Sequence, residues 1–104
     1  MDYPALESDL RDFCSGLANF NNCVRNRNLL GAEKWMATVE SAKYRFWTHM
    51  GGRSAYNGYA MAWNNYTMMV DAEINMWNVY KNLRVMILFP GPRRSARLAE
   101  NNRE

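Results

Sequence analysis

Apolar side chains near the start of the chain recur at spacings of four and three residues, a pattern typical of a helix with one buried face. This stripe contains Leu6, Leu10, Phe13, Leu17, Phe20 and Val24. Asp2 is a suitable N-cap, and Pro4 falls in the first turn, where its missing N–H does no harm. The polar sequence RNRN at 25–28 predicts the turn that ends this helix.

A second helix is predicted from Asn28, a suitable N-cap, to Met50, which precedes two glycines that favour a left-handed stop. Its apolar stripe contains Ala32, Trp35, Val39, Ala42, Phe46 and Met50. Trp47 lies at the edge of this stripe, and Tyr44 points to the side that carries Glu33 and Glu40. We interpret the two glutamates as part of a solvated face.

The third predicted helix begins near Ser54 and continues to about Leu88, because no proline lies between Ser54 and Pro90; Gly58 is a position where it can bend. Its apolar residues form two opposed stripes. The aromatic stripe contains Tyr56, Tyr59, Trp63, Tyr66, Val70, Ile74 and Trp77. The methionine stripe contains Met61, Met68, Ala72, Met76, Val79, Leu83 and Met86. A helix that is apolar on two opposed sides needs cover on both.

These patterns predict an all-α fold, a small domain of three or four helices at residues 1–92 with one long C-terminal helix. A charged tail follows at 93–104, and we expect it to be flexible. A chain of 104 residues can bury a modest core, and its 48% hydrophobic and 22% charged composition is typical of globular proteins.

The inventory of reactive side chains argues against catalysis. His49 is the only histidine, and Phe46 stands where a di-iron helical bundle would carry glutamate. The sequence GGRSAYNG at 51–58 matches neither a nucleophile elbow nor a phosphate-binding loop. Cys14 and Cys23 lie nine residues apart on opposite faces of one helix, which excludes a disulfide between them. We therefore expect a protein that is not an enzyme and has no cofactor, metal site or small-molecule substrate.

Charge and hydropathy narrow the expected partners. The net charge is +3, but the basic residues are scattered or lie in the mixed tail, so the chain lacks the basic stripe of a nucleic-acid-binding protein. No apolar run is long enough to span a membrane, and the start of the chain is acidic rather than signal-like. We expect a cytoplasmic protein with no direct contact to nucleic acid or membrane.

The two stripes of the third helix exceed what two single-faced helices can cover. Leaving about five or six large apolar residues in water would forgo on the order of 10 kcal/mol, which rivals the stability of a small domain. Large exposed apolar surfaces usually mark interfaces. We predict partner binding by Tyr44, Trp47, His49, Tyr56, Tyr59 and Trp63. We predict self-association into a homodimer by Met61, Met68, Met76, Val79 and Leu83. The reverse allocation of the two stripes stays open.

The sequences MDYPALESDLRDFCSGLANF and FWTHMGGRSAYNGYAMAWNNY, with the chain length and the all-helical pattern, resemble the small bacterial quorum-sensing anti-activators of the QslA type. The resemblance implies an inhibitor that binds the ligand-binding domain of a LuxR-type transcription factor such as LasR, blocks its dimerisation and prevents DNA binding. It transfers no functional residue to a position of this chain. A helical homo-oligomer, a phage-type inhibitor of another protein and a small nucleic-acid-binding protein are the alternatives.

Overall fold

The computed structural model describes residues 2–89, and they are almost entirely helical. The elements are α1 (Tyr3–Arg25), α2 (Leu29–His49), a short 3-10 turn (Gly52–Ser54), α3 (Ala55–Gly58) and α4 (Ala60–Leu88). This described range contains no strand, so the all-α prediction is confirmed. The predicted tail at 93–104 lies outside the described residues.

Side-chain caps begin α1 and α2, and one left-handed residue forms the turn between them. Oδ1 of Asp2 accepts a hydrogen bond from the N–H of Ala5 at 3.1 Å, and Asn28 caps α2 in the same way. Between the two helices Arg27 adopts a φ of 56°, and the N–H of Asn28 donates to the carbonyl of Cys23 at 2.8 Å. This arrangement is a Schellman turn, which satisfies the free carbonyls at the end of α1. The starts predicted at Asp2 and Asn28 are confirmed.

The connection between α2 and α4 departs from the predicted continuous third helix. Gly51 and Gly52 are both left-handed, with φ of 87° and 60°, and they end α2 as predicted. The chain then leaves the helical conformation at Tyr59, whose φ and ψ are −139° and 68°. Because Gly58 precedes this break and favours helix poorly, the long helix begins only at Ala60. The prediction of one helix from Ser54 is therefore corrected to a single turn, α3, followed by α4.

α2 lies at the centre of the packing, between α1 and α4. α1 and α4 both run antiparallel to α2. On α1, Asp9 pairs with His49 and the later Asp12 pairs with the earlier Arg45. On α4, Glu73 pairs with Lys43 and the later Trp77 pairs with the earlier Glu40. α4 packs chiefly on α2 and touches α1 little. The molecule is long and thin, 58 × 24 × 15 Å. As a result, α1 and α4 run parallel to each other with an open groove between them.

The core contains large apolar residues from all three long helices. Phe13 and Phe20 of α1 pack with Val39 and Phe46 of α2. Gly16 permits the close approach of α1 and α2, because a Cβ at that position would lie 2.9 Å from a methyl group of Val39. α4 closes the core from the other side of α2.

The buried seam of α4 runs between the two stripes predicted from the sequence. Its fully buried residues are Ala62, Met69, Met76, Tyr80 and Leu83. Met76 and Leu83, which we predicted for self-association, are only 2% and 3% exposed. They fill the core of their own chain and are not available to a second copy, which corrects that part of the prediction. The physical reason is that α4 meets α2 along a line of positions spaced mostly by four and three residues. Met76 and Leu83 of the predicted methionine stripe lie on this line, and no residue of the predicted aromatic stripe does.

Candidate functional site: two exposed faces of the long helix

The first exposed apolar surface lies along the junction of α2 and α4, and we call it the aromatic face. It consists of Tyr44, Trp47, Tyr56, Trp63, Tyr66, Ile74 and Trp77. Tyr44 belongs to it because it lies one turn from both Glu40 and Trp47 on α2, and those two residues contact α4. Tyr44 is 68% exposed.

One end of the aromatic face is a cluster of four rings at the α2–α4 connection. The ring centroids of Trp47 and Tyr66 are 4.8 Å apart, and those of Tyr56 and Trp63 are 5.3 Å apart in an edge-to-face arrangement. The centroids of Trp47 and Trp63 are 6.1 Å apart. Such tilted and edge-to-face contacts are favourable aromatic geometries and hold the rings in place. The structure therefore brings together three of the predicted partner-binding residues, Trp47, Tyr56 and Trp63.

The other end of the aromatic face is held by two glutamates of α2. The indole N–H of Trp77 donates to a carboxylate oxygen of Glu40 at 2.9 Å, and the hydroxyl of Tyr80 donates to Glu33. Glu33 is exposed and Glu40 is half-buried, so both are in contact with solvent, and both also accept hydrogen bonds from α4. The hydrogen bond to Glu33 is the main cause that raises the pKa of Tyr80 above its ordinary value of 10.0, with burial as the next cause.

Two of the predicted partner-binding residues lie outside the aromatic face. Tyr59 is exposed at the break before α4. His49 lies on the α1 side of α2, where its Nδ1–H donates to a carboxylate oxygen of Asp9 at 2.6 Å. The imidazole is engaged in tying α2 to α1, so the structure does not place it with the aromatic residues. We therefore remove His49 from the predicted partner-binding surface, because its imidazole is bound to Asp9 of α1.

Asp9 is a buried polar residue that the sequence analysis did not single out. Its side chain is buried in the core and accepts hydrogen bonds from both His49 and Arg45, whose Nε lies 3.2 Å away. Arg45 also reaches Asp12 at 3.0 Å. A buried carboxylate needs such partners, because an unpaired charge in the interior is costly. Its spacing in the sequence could have predicted its burial, because Asp9 lies three residues after Leu6 and four before Phe13, on the buried face of α1.

The second exposed apolar surface is the groove between α1 and α4, and we call it the methionine groove. Its apolar lining includes Tyr3, Leu10 and Val24 of α1 and Met61, Val79 and Met86 of α4. Met68 and Ala72 lie on the same flank of α4 by their helical spacing, between Met61 and Val79. It opens into a hollow of about 380 Å³ at the start of the two helices and a second of about 240 Å³ at their ends. Met61 and Met68 are 79% and 68% exposed, while Val79 is half-buried. Three of the five residues predicted for self-association thus lie in this groove.

Within 2–89, no three side chains of His, Cys, Asp or Glu come together in the way a bound metal ion requires. In the same range no helix combines the length and the hydropathy needed to cross a membrane. Cys14 is exposed and Cys23 is buried, and both are free thiols.

Comparison with known proteins adds no relative to this picture. The chain shows no significant match to any protein-family model, to any curated protein or to any solved structure.

Proposed function

We propose that this chain is a non-enzymatic inhibitor that binds another protein through its aromatic face. The observation that carries the proposal is that large apolar side chains of this face are exposed to solvent. These side chains are Tyr44, Tyr56, Ile74 and Trp77. Isolated exposed apolar residues are common, but a continuous row of this kind usually marks an interface. Tyr and Trp are also the residues that contribute most often to binding hot spots.

Contacts within the chain hold several side chains of the aromatic face in place, so a partner can bind them at a small cost in conformational entropy. Trp77 is fixed by Glu40, and Trp63 is held between Tyr56 and Tyr66. Side chains that are already ordered in the free protein lose little conformational freedom when a partner covers them. The exposed Tyr44 and Ile74 extend this ordered patch at its margin.

The partner that we propose is the ligand-binding domain of a LuxR-type transcription factor. This choice rests on the resemblance of the sequence to quorum-sensing anti-activators. By occupying the surface through which the regulator dimerises, the chain would draw monomeric regulator out of the pool that forms the DNA-binding dimer, by mass action. Such an inhibitor requires a complementary apolar surface and no catalytic group.

The proposal is tested by co-expressing the full-length chain with the ligand-binding domain of a LuxR-type regulator and measuring the mass of the product by size-exclusion chromatography with light scattering. We expect a mixed complex that contains no homodimer of the regulator. Tyr44→Glu should abolish the complex. Leu30→Glu is the matched control, because Leu30 is similarly exposed on α2 but lies about 21 Å along the helix from Tyr44.

Two results would contradict the proposal. A regulator that remains a homodimer in the presence of excess chain would exclude this partner. A complex that survives Tyr44→Glu but is lost with Leu30→Glu would move the binding surface away from the aromatic face.

A further inference from the structure

We infer that a cleft at one end of the aromatic face binds an arginine side chain of the partner protein. The cleft is lined by Glu33, Ala37 and Glu40 of α2 and by Trp77 and Tyr80 of α4, and we call it the Glu40 cleft. The inference rests on the proposed function, because it names a chemical group that the partner brings to the aromatic face. The shape of the cleft, the unpaired charge of Glu40 and the exposed ring of Trp77 carry it.

The Glu40 cleft is a hollow of about 280 Å³ between the first half of α2 and the second half of α4. Glu33, Ala37 and Glu40 are spaced by four and three residues, so they line the cleft from one face of α2. Because Ala37 is exposed and carries only a methyl group, the space between the two carboxylates is open. On the α4 side the rings of Trp77 and Tyr80 meet edge to face, with centroids 5.8 Å apart. The cleft therefore has room for the end of one side chain between carboxylates and an aromatic wall.

Glu40 is a half-buried carboxylate whose charge lacks an internal partner. Its Oε2 accepts a hydrogen bond from the indole N–H of Trp77 at 2.9 Å. Within residues 2–89, no nitrogen of lysine, arginine or histidine lies within 4.0 Å of its oxygens. Lys43, one turn further along α2, is engaged with Glu73 at 2.5 Å. An ionised carboxylate has about four acceptor sites, so most of those on Glu40 depend on water in the free chain.

A partner that covers the aromatic face would remove this water. Glu40 lies beside the exposed ring of Trp77 and one turn from the exposed Tyr44. A carboxylate that loses its hydration without a new partner is costly, and the cost is largest when its charge stays uncompensated. The binding surface of the partner must therefore supply a hydrogen-bond donor at Glu40, and a cationic donor compensates the charge as well.

Trp77 favours a guanidinium over other cations. Its indole is 42% exposed, and the hydrogen bond to Glu40 holds the ring beside the carboxylate. A guanidinium is planar, stacks on an aromatic face and donates to a carboxylate at the same time, whereas the ammonium of lysine is compact and strongly hydrated. An arginine that lies on the indole can donate to Oε1 of Glu40, the oxygen that Trp77 does not use.

The other charges of the cleft indicate which end takes the cation. Glu33, at the opposite end from Glu40, accepts the hydroxyl of Tyr80, and Arg84 lines the cleft one turn beyond Tyr80. The positive charge of Arg84 disfavours a second cation at the Glu33 end. Arg84 is seven residues from Trp77, about 10 Å along α4, so its repulsion is weaker at Glu40. The Glu40 end is therefore the place for the guanidinium.

The first test titrates the ¹⁵N-labelled full-length chain with N-acetyl-arginine amide and follows the indole N–H signal of Trp77 by nuclear magnetic resonance. We expect this signal to shift with a dissociation constant in the millimolar range, and to shift little with N-acetyl-citrulline amide, the uncharged analogue. Glu40→Gln should weaken the binding about fivefold, because glutamine still accepts the indole hydrogen bond but carries no charge. Glu7→Gln is the matched control, since it removes an exposed carboxylate of α1.

Three results of this titration would overturn the inference. They are a Trp77 signal that does not respond to the arginine probe, equal responses to the arginine and citrulline probes, and an affinity that Glu40→Gln leaves unchanged.

Arginines of the chain itself are the competing occupants of the cleft. Arg93, Arg94 and Arg97 follow α4 and lie outside the described residues. Replacing all three by glutamine in the full-length chain should leave the Trp77 signal of the free protein unchanged. A shift of that signal would assign the Glu40 cleft to the chain's own arginines and overturn the inference of an arginine from the partner.

The second test separates this inference from the proposed function. Isothermal titration calorimetry measures the affinity of the wild type, Glu40→Gln and Glu7→Gln for the ligand-binding domain of a LuxR-type regulator. We expect Glu40→Gln to raise the dissociation constant about tenfold and Glu7→Gln to leave it unchanged. A complex that Glu40→Gln binds as tightly as the wild type would overturn the inference and leave the proposed function standing. If the wild type forms no complex, the proposed function fails, and the arginine probe alone decides whether the cleft takes a guanidinium.

Discussion

Asp9 is the residue that links α1 to α2 by hydrogen bonds to two side chains of α2. It is buried, and the two side chains that donate hydrogen bonds to it, His49 and Arg45, both come from the C-terminal half of α2. The charge of this carboxylate is tolerated in the interior because hydrogen bonds from both partners replace those it would make with water. His49 is consequently a residue that links α2 to α1, although its side chain is still 39% exposed.

We predict that Asp9→Asn lowers the free energy of unfolding by about 2 kcal/mol, since hydrogen bonds to a charged group are lost or weakened. Asp12→Asn is the control: Asp12 also pairs with Arg45, but its side chain is exposed, so that substitution should have little effect. Urea denaturation followed by circular dichroism measures both. Equal effects of the two substitutions on the free energy of unfolding would contradict the prediction that the buried hydrogen bonds of Asp9 stabilise the fold more than the exposed pair of Asp12 does.

A second residue-scale prediction concerns Tyr80 at alkaline pH. Its pKa is raised in the folded state by the hydrogen bond to Glu33 and by burial, whereas the unfolded chain ionises near the ordinary value of 10.0. The stabilisation from this group is therefore fully present below pH 10 and is lost as the pH rises through the folded-state pKa.

Tyr80→Phe should accordingly reduce the free energy of unfolding by about 1 kcal/mol at neutral pH, because one hydrogen bond is lost. The difference between the variant and the wild type should shrink above pH 10. Tyr44→Phe, which changes an exposed ring, should match the wild type throughout. A difference that is constant with pH would contradict the role of the Glu33 hydrogen bond.

At the scale of the helices, the ends were predictable and the buried face of α4 was not. Caps at Asp2 and Asn28 and the stop at Gly51 are local features, so the sequence alone locates them. The buried face of a helix with apolar residues all around depends on which neighbour it meets. On α4 the seam takes Met69 and Tyr80, which belonged to neither predicted stripe, because α2 supplies the complementary surface there.

The position of this seam predicts opposite outcomes for two methionines of α4. Met76→Glu should unfold the chain, because an unpaired charge at a fully buried site costs on the order of 4 kcal/mol or more of a modest total stability. Met68→Glu should leave the helix content intact, because Met68 is exposed within a single chain. Far-ultraviolet circular dichroism of both variants measures this. Preserved helix content in Met76→Glu would place the seam of α4 elsewhere.

At the scale of the whole molecule, α4 divides the surface into two apolar regions with different character. The aromatic face is held in place by the ring contacts and by Glu40, whereas the methionine groove is lined on α4 by flexible methionine and by aliphatic side chains. The sequence indicated that α4 is apolar on two flanks, and it named most residues of both. It could not show that Met76 and Leu83 are buried in the core or that His49 is hydrogen-bonded to Asp9, because those contacts join residues far apart in the chain.

The central proposal is that the aromatic face binds the partner. The most direct test records the indole N–H signals of the ¹⁵N-labelled chain by nuclear magnetic resonance while a LuxR-type ligand-binding domain is added. Trp47, Trp63 and Trp77 lie on the aromatic face, and Trp35 is an internal control about 18 Å along α2 from Trp47. We predict that the signals of Trp63 and Trp77 shift or broaden strongly while that of Trp35 changes least. Four unchanged signals, or a response largest at Trp35, would contradict the proposal.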